Sequence, residues 1–259
     1  FRVSPGVQIK EIDATNVIPA VSTSIGGFAG SFNWGPTEEV CLVGSENELL
    51  EKFGTPDNNT AKYFLTAAAF LKYGNALKVV RVSSGHLNAT ADGSGQLVKN
   101  EEEYDNLYST SGISGKGNWV ARYPGVLGNS LKVSMVTAGV STANYNNWAF
   151  KGEFDAQPGT SDFAKDLGKT SAADELHIAV VDEDGAISGT PNTVLEKFAF
   201  VSQGSDVKNP NGTSNFYKDV INSQSEWIYW ANHDSSLTDA GETVAEQSGA
   251  MTTNTAVLD

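Results

Sequence analysis

Residues 45–82 read SENELLEKFGTPDNNTAKYFLTAAAFLKYGNALKVVRV, and their punctuation decides the first body of the chain. Ser45 with Glu48 three residues on is the capping-box spacing, in which a hydroxyl and a carboxylate satisfy the free N–H groups of a helix start. Gly54 closes that helix, because glycine enters the left-handed region without a steric penalty. The next segment places Phe64, Ala67, Ala68 and Leu71 on one helical face, with Gly74 as the stop. ALKVVRV, residues 76–82, then reads as a buried strand. With the Gly-rich SIGGFAG (24–30) and VCLV (40–43) as further strands, residues 21–84 form a compact α/β body, helices laid on a sheet.

Outward from that body the patterns change. Residues 1–20 alternate apolar and polar around Val7, Ile9 and Ile12, punctuated by Pro5-Gly6 and Pro19, so they read as an extended arm. An alternating strand outside a packed body is a natural donor for strand addition to another sheet, which makes Val7, Gln8, Ile9, Lys10, Glu11 and Ile12 the candidate contact residues. SFNWGP (31–36) reads as a structural corner, with Trp34 packed against the body, Gly35 in the turn and Pro36 fixing chain direction. Pro124-Gly125 marks a second corner. Residues 85–117 are rich in Gly, Ser, Asn and acid, so they are expected to bury little and to act as a flexible linker. From 118 to 259 the period turns to two: LKVSMV, ELHIAVV, EKFAFV and EWIYW are short strands, and Asp184-Gly185 signals a local hairpin. Only NFYKDVINS (215–223) has helical spacing. The fold class is α+β: an arm, an α/β body completed by C-terminal sequence outside this stretch, and a second, mostly β domain. Phe1 and the apolar NTAVLD at the end lead us to expect sequence missing at both ends.

Composition excludes several function classes. With 17 Lys+Arg against 31 Asp+Glu the formal charge is −14, which repels nucleic acid and anionic membranes. Cys41, the single cysteine, sits in an apolar run and reads as a buried hydrophobe; no disulfide can form within the chain. No stretch approaches ~18 consecutive apolar residues, and no signal peptide is visible. Nucleophilic catalysis needs a base beside a hydroxyl or thiol, but His86, His177 and His233 share no motif and no metal-ligand spacing. No G-x-S-x-G or phosphate-cradling loop occurs. EEEYD (101–105) and DEDG (182–185) read as solvated charge, although a carboxylate pair would suit a glycoside hydrolase. The five Trp invite a carbohydrate-binding or adhesin module with sugar-stacking rings, but Trp227, Tyr229 and Trp230 fall on both faces of one strand, as core packing requires. Neither catalytic residues, nor a metal, nor a cofactor is expected.

Three stretches carry a family resemblance: SPGVQIKEID, then GGFAGSFNWGPTEEVCLV followed by FGTPDNNTAKYFLTAAAFLKYGNALKVVRV, and ARYPGVLGNSLKVSMV. Together they resemble the tail sheath protein of contractile-tailed phages, nearest the T4-like type. The resemblance implies a structural, non-enzymatic subunit that stacks with copies of itself in hexameric rings around the tail tube protein and shortens to drive the tube through the host envelope. It implies baseplate and tail terminator proteins as further partners, no nucleic acid, no membrane in the resting state, and residence in the virion after assembly in the host cytoplasm. The arm at Val7 to Ile12 takes the family's subunit-linking role. Two departures stand out: the large outer insertion before the YPG block is reduced here to 85–117, and the family chain continues past Asp259 into the tube-facing region and a second arm. A sheath from a non-phage contractile injection system is the near alternative.

Overall fold

The computed structural model describes residues 25–233 and the two-residue strand Ala256–Val257. The arm residues Val7 to Ile12 lie outside the described residues. The first body comprises β1 (Ile25–Gly30), β2 (Val40–Val43), α1 (Glu46–Phe53), α2 (Ala61–Leu71) and β3 (Ala76–Arg81). Its sheet runs β1-β3-β2, with β1 parallel and β2 antiparallel to the central β3. The local signals are the ones the residues announce. Glu48 N donates to Ser45 Oγ at 3.2 Å, the Glu48 carboxylate accepts from Gly44 N at 2.8 Å, and Gly54 closes α1 with φ 75°. Leu49 and Phe53 from α1 meet Phe64, Ala67 and Ala68 from α2 over Cys41, Val43, Leu77 and Val79. Burial pushes the Cys41 thiol above its ordinary value.

The sheet is covered on one face only, so the expectation of a buried strand at 76–82 needs correction. Leu77, Val79 and Arg81 point into the body, while Lys78 is exposed and Val80 half-buried. Ile25 (59% exposed), Val40 (59%) and Leu42 (55%) lie on the same uncovered face. Both helices pack on the opposite side, and no described element covers this one.

Besides two 3-10 helices at Val126–Ser130 and Lys151–Glu153, the remaining described elements are α3 (Glu101–Leu107), β4 (Trp119–Ala121), β5 (Leu131–Thr137), α4 (Thr142–Asn147), α5 (Asp162–Asp166), β6 (Glu175–Asp182), β7 (Thr193–Ser202), α6 (Tyr217–Gln224), β8 (Ile228–Trp230) and β9 (Ala256–Val257). β7-β6-β5-β9 form an antiparallel sheet, and β4 pairs with β8. The strands fall on the four expected runs, but the expected period of two is not kept, because β5 and β6 are buried on both faces, one face in the larger core and the other against Tyr145, Trp148 and Phe154. The second part is also less β-rich than expected, because α4 and α5 join α6. Helices of 6 and 5 residues are too short to show a 3.6 period, and only their caps, Ser141 and Ser161, mark them. The Asp184-Gly185 signal falls within the long β6–β7 connection, residues 183–192, and is not itself a two-residue hairpin turn. Asp182 explains the length. It is fully buried, and its carboxylate accepts from Ser130 Oγ (2.5 Å), Gly185 N (3.1 Å), Ile187 N (3.0 Å), Ser188 N (2.6 Å) and Ser188 Oγ (2.8 Å). Burial pushes this carboxyl up, and the bonds from Ser130, Ser188 and Ile187 outweigh it, holding it below its ordinary value. The first acid of DEDG is therefore an internal anchor for the loop, not solvated charge.

Residues 85–117 are not a loose linker. Val98, Tyr104 and Ile113 are buried with Val120, Tyr229 and Ala231. Asn88 exchanges both main-chain bonds with Gln96, and its side chain donates to Ala121 O (2.9 Å) and accepts from Val98 N (2.8 Å), which ties this irregular stretch to β4. Tyr104 stacks on Tyr229 at 3.9 Å and 6°, and its hydroxyl donates to Trp230 O at 2.7 Å. Glu101 pairs with Arg122 at 3.0 Å, and Arg122 lies 4.5 Å above the Tyr229 ring. A composition poor in branched apolar residues thus hides a few well-placed anchors.

His177 occupies β6 beside a register shift opposite β7. Its ring stacks on Phe154 at 4.4 Å and meets the edge of Phe200 at 4.5 Å. Nδ1 accepts from Phe200 N (3.0 Å), which leaves Nε2 to donate to Ala156 O (2.8 Å). Phe200 holds φ 52°, in the left-handed region. Burial pulls the His177 pKa below its ordinary value, and a second proton would displace the Phe200 bond.

Two outcomes follow from this packing. Tyr104→Phe leaves the Trp230 carbonyl short of a partner and is expected to cost about 1–3 kcal/mol in urea unfolding; an unchanged midpoint would detach residues 85–117 from the core. For His177 the unfolded chain binds a proton near its ordinary pKa while the folded site resists. Its stability contribution is full above that value and is lost as pH falls towards the lower folded one. Between about pH 7.5 and about pH 5.5 the native protein should lose stability more steeply than His177→Gln; equal slopes would remove this histidine as the cause.

Candidate functional site

β3 ends on Arg81, whose side chain points inward at 3% exposure. Nε donates to Phe32 O (2.9 Å) and Nη1 to Gly35 O (2.6 Å), so one side chain holds both ends of the Phe32–Gly35 turn. Among the described residues no carboxylate forms an ion pair with it. Burial pushes the guanidinium down to about 10, still charged at neutral pH.

Both corners read from the sequence meet around this arginine. Trp34 N donates to Phe53 O (3.1 Å), at the end of α1. Contrary to the expectation that it packs against the α/β body, its indole joins the larger β core, 5.5 Å from Tyr123 and 5.4 Å from Trp227. The chain has left strand geometry after Gly30, so Phe32 and Trp34 face different cores: Phe32 lies 4.7 Å from Phe53. Gly35 has φ 100°, and a Cβ there would sit 2.6 Å from Lys52 O. Pro36 is buried, and Thr37 N then bonds Lys99 O at 2.9 Å. Pro124 is buried, and Gly125 follows with φ 145° and ψ 164°, a region that is essentially glycine-only. A Cβ on Gly125 would stand 2.5 Å from Asn33 O and 2.9 Å from Arg81 Nη2. Sequence reasoning missed Arg81; the signal was a lone cation inside the apolar run VVRV.

Elsewhere the chemistry-bearing residues are tied into structure. His86 is exposed, and His233 Nδ1 lies 2.6 Å from the Tyr217 hydroxyl. No group of three or more His, Cys, Asp and Glu among the described residues could hold a metal ion, and no described helix is long and apolar enough to cross a membrane. Trp34, Trp119, Trp148 and Trp230 are buried and Trp227 half-buried, so the described tryptophans offer no exposed sugar-stacking platform.

Gly125→Ala should lower stability by more than the ~1–2 kcal/mol that a left-handed alanine costs by itself. Gly85→Ala, at φ 76° with nothing within 4 Å of its Cβ position, gives the cost of a left-handed alanine alone, to which Gly125→Ala adds both the clash with Asn33 O and Arg81 and a φ 145°, ψ 164° conformation that is essentially glycine-only. Equal losses in chemical denaturation would mean that Gly125 is not needed for close approach to Arg81.

Comparison with known proteins places this geometry. A model described as tail sheath protein Gp18 domain III, N-terminal region, matches residues 23–82. The tail sheath protein of Salmonella phage ViI is 32% identical over 199 residues, covering 75% of this chain and 28% of that protein. The tail sheath protein of Enterobacteria phage T4 is 42% identical over 79 residues, covering 30% of this chain and 12% of that one. Among solved structures, a sheath tail protein of Listeria innocua overlaps 81% of this chain and 30% of its own at TM-score 0.40 and 11% identity, too loosely to carry an argument. The matched part of this chain thus spans about 28% of the ViI protein's length and 12% of the T4 protein's. On these matches the chain is related to the tail sheath proteins of bacteriophages, structural components of the virion, and its first body corresponds to the N-terminal region of sheath domain III.

Proposed function

We propose that this chain is part of a structural subunit of a contractile tail sheath, assembled as stacked hexameric rings around a tail tube and contracting to drive that tube through the host envelope. The observation that carries the reading is the match of residues 23–82 to the sheath domain model, extended by 32% identity over three quarters of the chain. The structure is compatible with a part that works by assembly. β1 and β2 each pair only with β3 among the described strands, so the three-stranded sheet has two unpaired edges beside an uncovered face bearing Ile25, Val40 and Leu42. Such an edge accepts a strand from a neighbouring chain, and main-chain bonds of that kind tolerate rotation of the bodies they join. In this reading Val7 to Ile12 donate that strand, further sequence of a longer subunit covers the open face, and residues 85–117 take the place of an outer insertion. The partners are further copies of the chain, the tail tube protein, and the baseplate and tail terminator proteins. Assembly takes place in the host cytoplasm and the product resides in the virion. The protein works by rigid-body rearrangement, with no catalytic step.

Electron microscopy of the full-length protein with and without residues 1–20 tests the reading. Tubes of uniform diameter are expected from the intact protein and isolated subunits from the truncated one. Isolated subunits from both would overturn self-assembly through the arm.

A further inference from the structure

A recess of about 330 Å³ opens beside the Arg81 corner, lined by Asn33, Asn59, Thr60, His86 and Gly125 together with Arg81 itself. Of the guanidinium's N–H groups, those on Nε and Nη1 already reach Phe32 O and Gly35 O. Nη2 bonds to no described protein atom and lies against Gly125, which lines the recess together with Arg81. It is not sealed away: the unpartnered polar side-chain atoms fully shut off among the described residues belong to Trp119, Gln203, Tyr229 and Trp230. A charged fork held rigid by two carbonyls, nine-tenths buried and open along one edge, is pre-organised for a planar anion.

Asp57 is the one carboxylate of the lining, and it caps the turn that follows it. Its Oδ1 accepts from Asn59 N (2.9 Å), Thr60 N (2.8 Å) and Thr60 Oγ1 (2.8 Å). Its charge nearby disfavours a doubly charged phosphate more than a singly charged carboxylate. We infer that this recess is a carboxylate-binding site in which the free edge of Arg81 pairs with an incoming Asp or Glu side chain or a small soluble carboxylate. With 31 acidic residues on the chain, a second copy is an ample source. The inference stands on the recess alone and does not depend on the sheath reading.

The test is thermal unfolding of the protein in sodium acetate against sodium chloride and acetamide at matched concentration. Acetate should raise the midpoint in a saturable way while neither control does. Asn59→Glu, a change at an exposed position that puts a carboxylate on the recess wall, should abolish the acetate increment. Equal responses to acetate and chloride would overturn the site, as would an acetate increment that survives in Asn59→Glu. Sedimentation then separates the sources. Self-association that acetate disperses assigns the carboxylate to a second copy, whereas acetate binding to a chain that stays monomeric assigns a free small molecule.

Discussion

A strand that ends by turning a full positive charge into a protein must find oxygen for it, and Arg81 finds the carbonyls of Phe32 and Gly35. Hydrogen bonds from a charged donor contribute about 1.5–3 kcal/mol each, and an uncompensated buried guanidinium would cost more than either supplies. The turn and the strand therefore require one another. The turn's shape follows, with Gly35 forced positive in φ and the Trp34 amide delivered to the end of α1. Gly125 closes the far side because no other residue fits between Asn33 O and the guanidinium. Both families of packing, helices on a three-stranded sheet and the antiparallel β core, meet at this one cation.

What was legible in the sequence was local. Ser45, Glu48 and Gly54 act within one helix, and the face of α2 repeats within eleven residues, so a short window contains the whole argument. The strands of the second part were legible as short apolar runs, though β5 and β6 are buried on both faces and do not alternate. The Arg81 site is of another kind: its acceptors stand 49 and 46 positions away. Nothing near VVRV names them. Residues 85–117 misled for the same reason, since the partner of Tyr104 lies 126 positions on, at Trp230. Composition described how little apolar material this stretch has and not where that material sits. The corner residues Trp34, Gly35, Pro36, Pro124 and Gly125 were visible as turn formers, but their convergence on one cation was not.

Asp182 and Arg81 illustrate a shared economy of means. Each is a buried charge that organises irregular backbone: the carboxylate gathers N–H groups of the β6–β7 loop, and the guanidinium gathers carbonyls of the 32–35 turn. Loops cannot satisfy their own polar groups as ladders do, so a single ion with several hydrogen-bonding positions replaces a row of pairings. Both loops end against the same neighbourhood, because Ala186 from the β6–β7 connection lines the recess beside Arg81.

Trp34 has a mechanical meaning. Its amide is fastened to the helical body through Phe53 O, while its ring is embedded among Tyr123 and Trp227 in the other core. A force pulling these two bodies apart is carried across one residue, from a hydrogen bond at its backbone to an aromatic wedge at its side chain. Slack cannot accumulate over so short a span. The joint is a rivet between the α/β body and the β core, with one residue fastened to each by a different kind of bond.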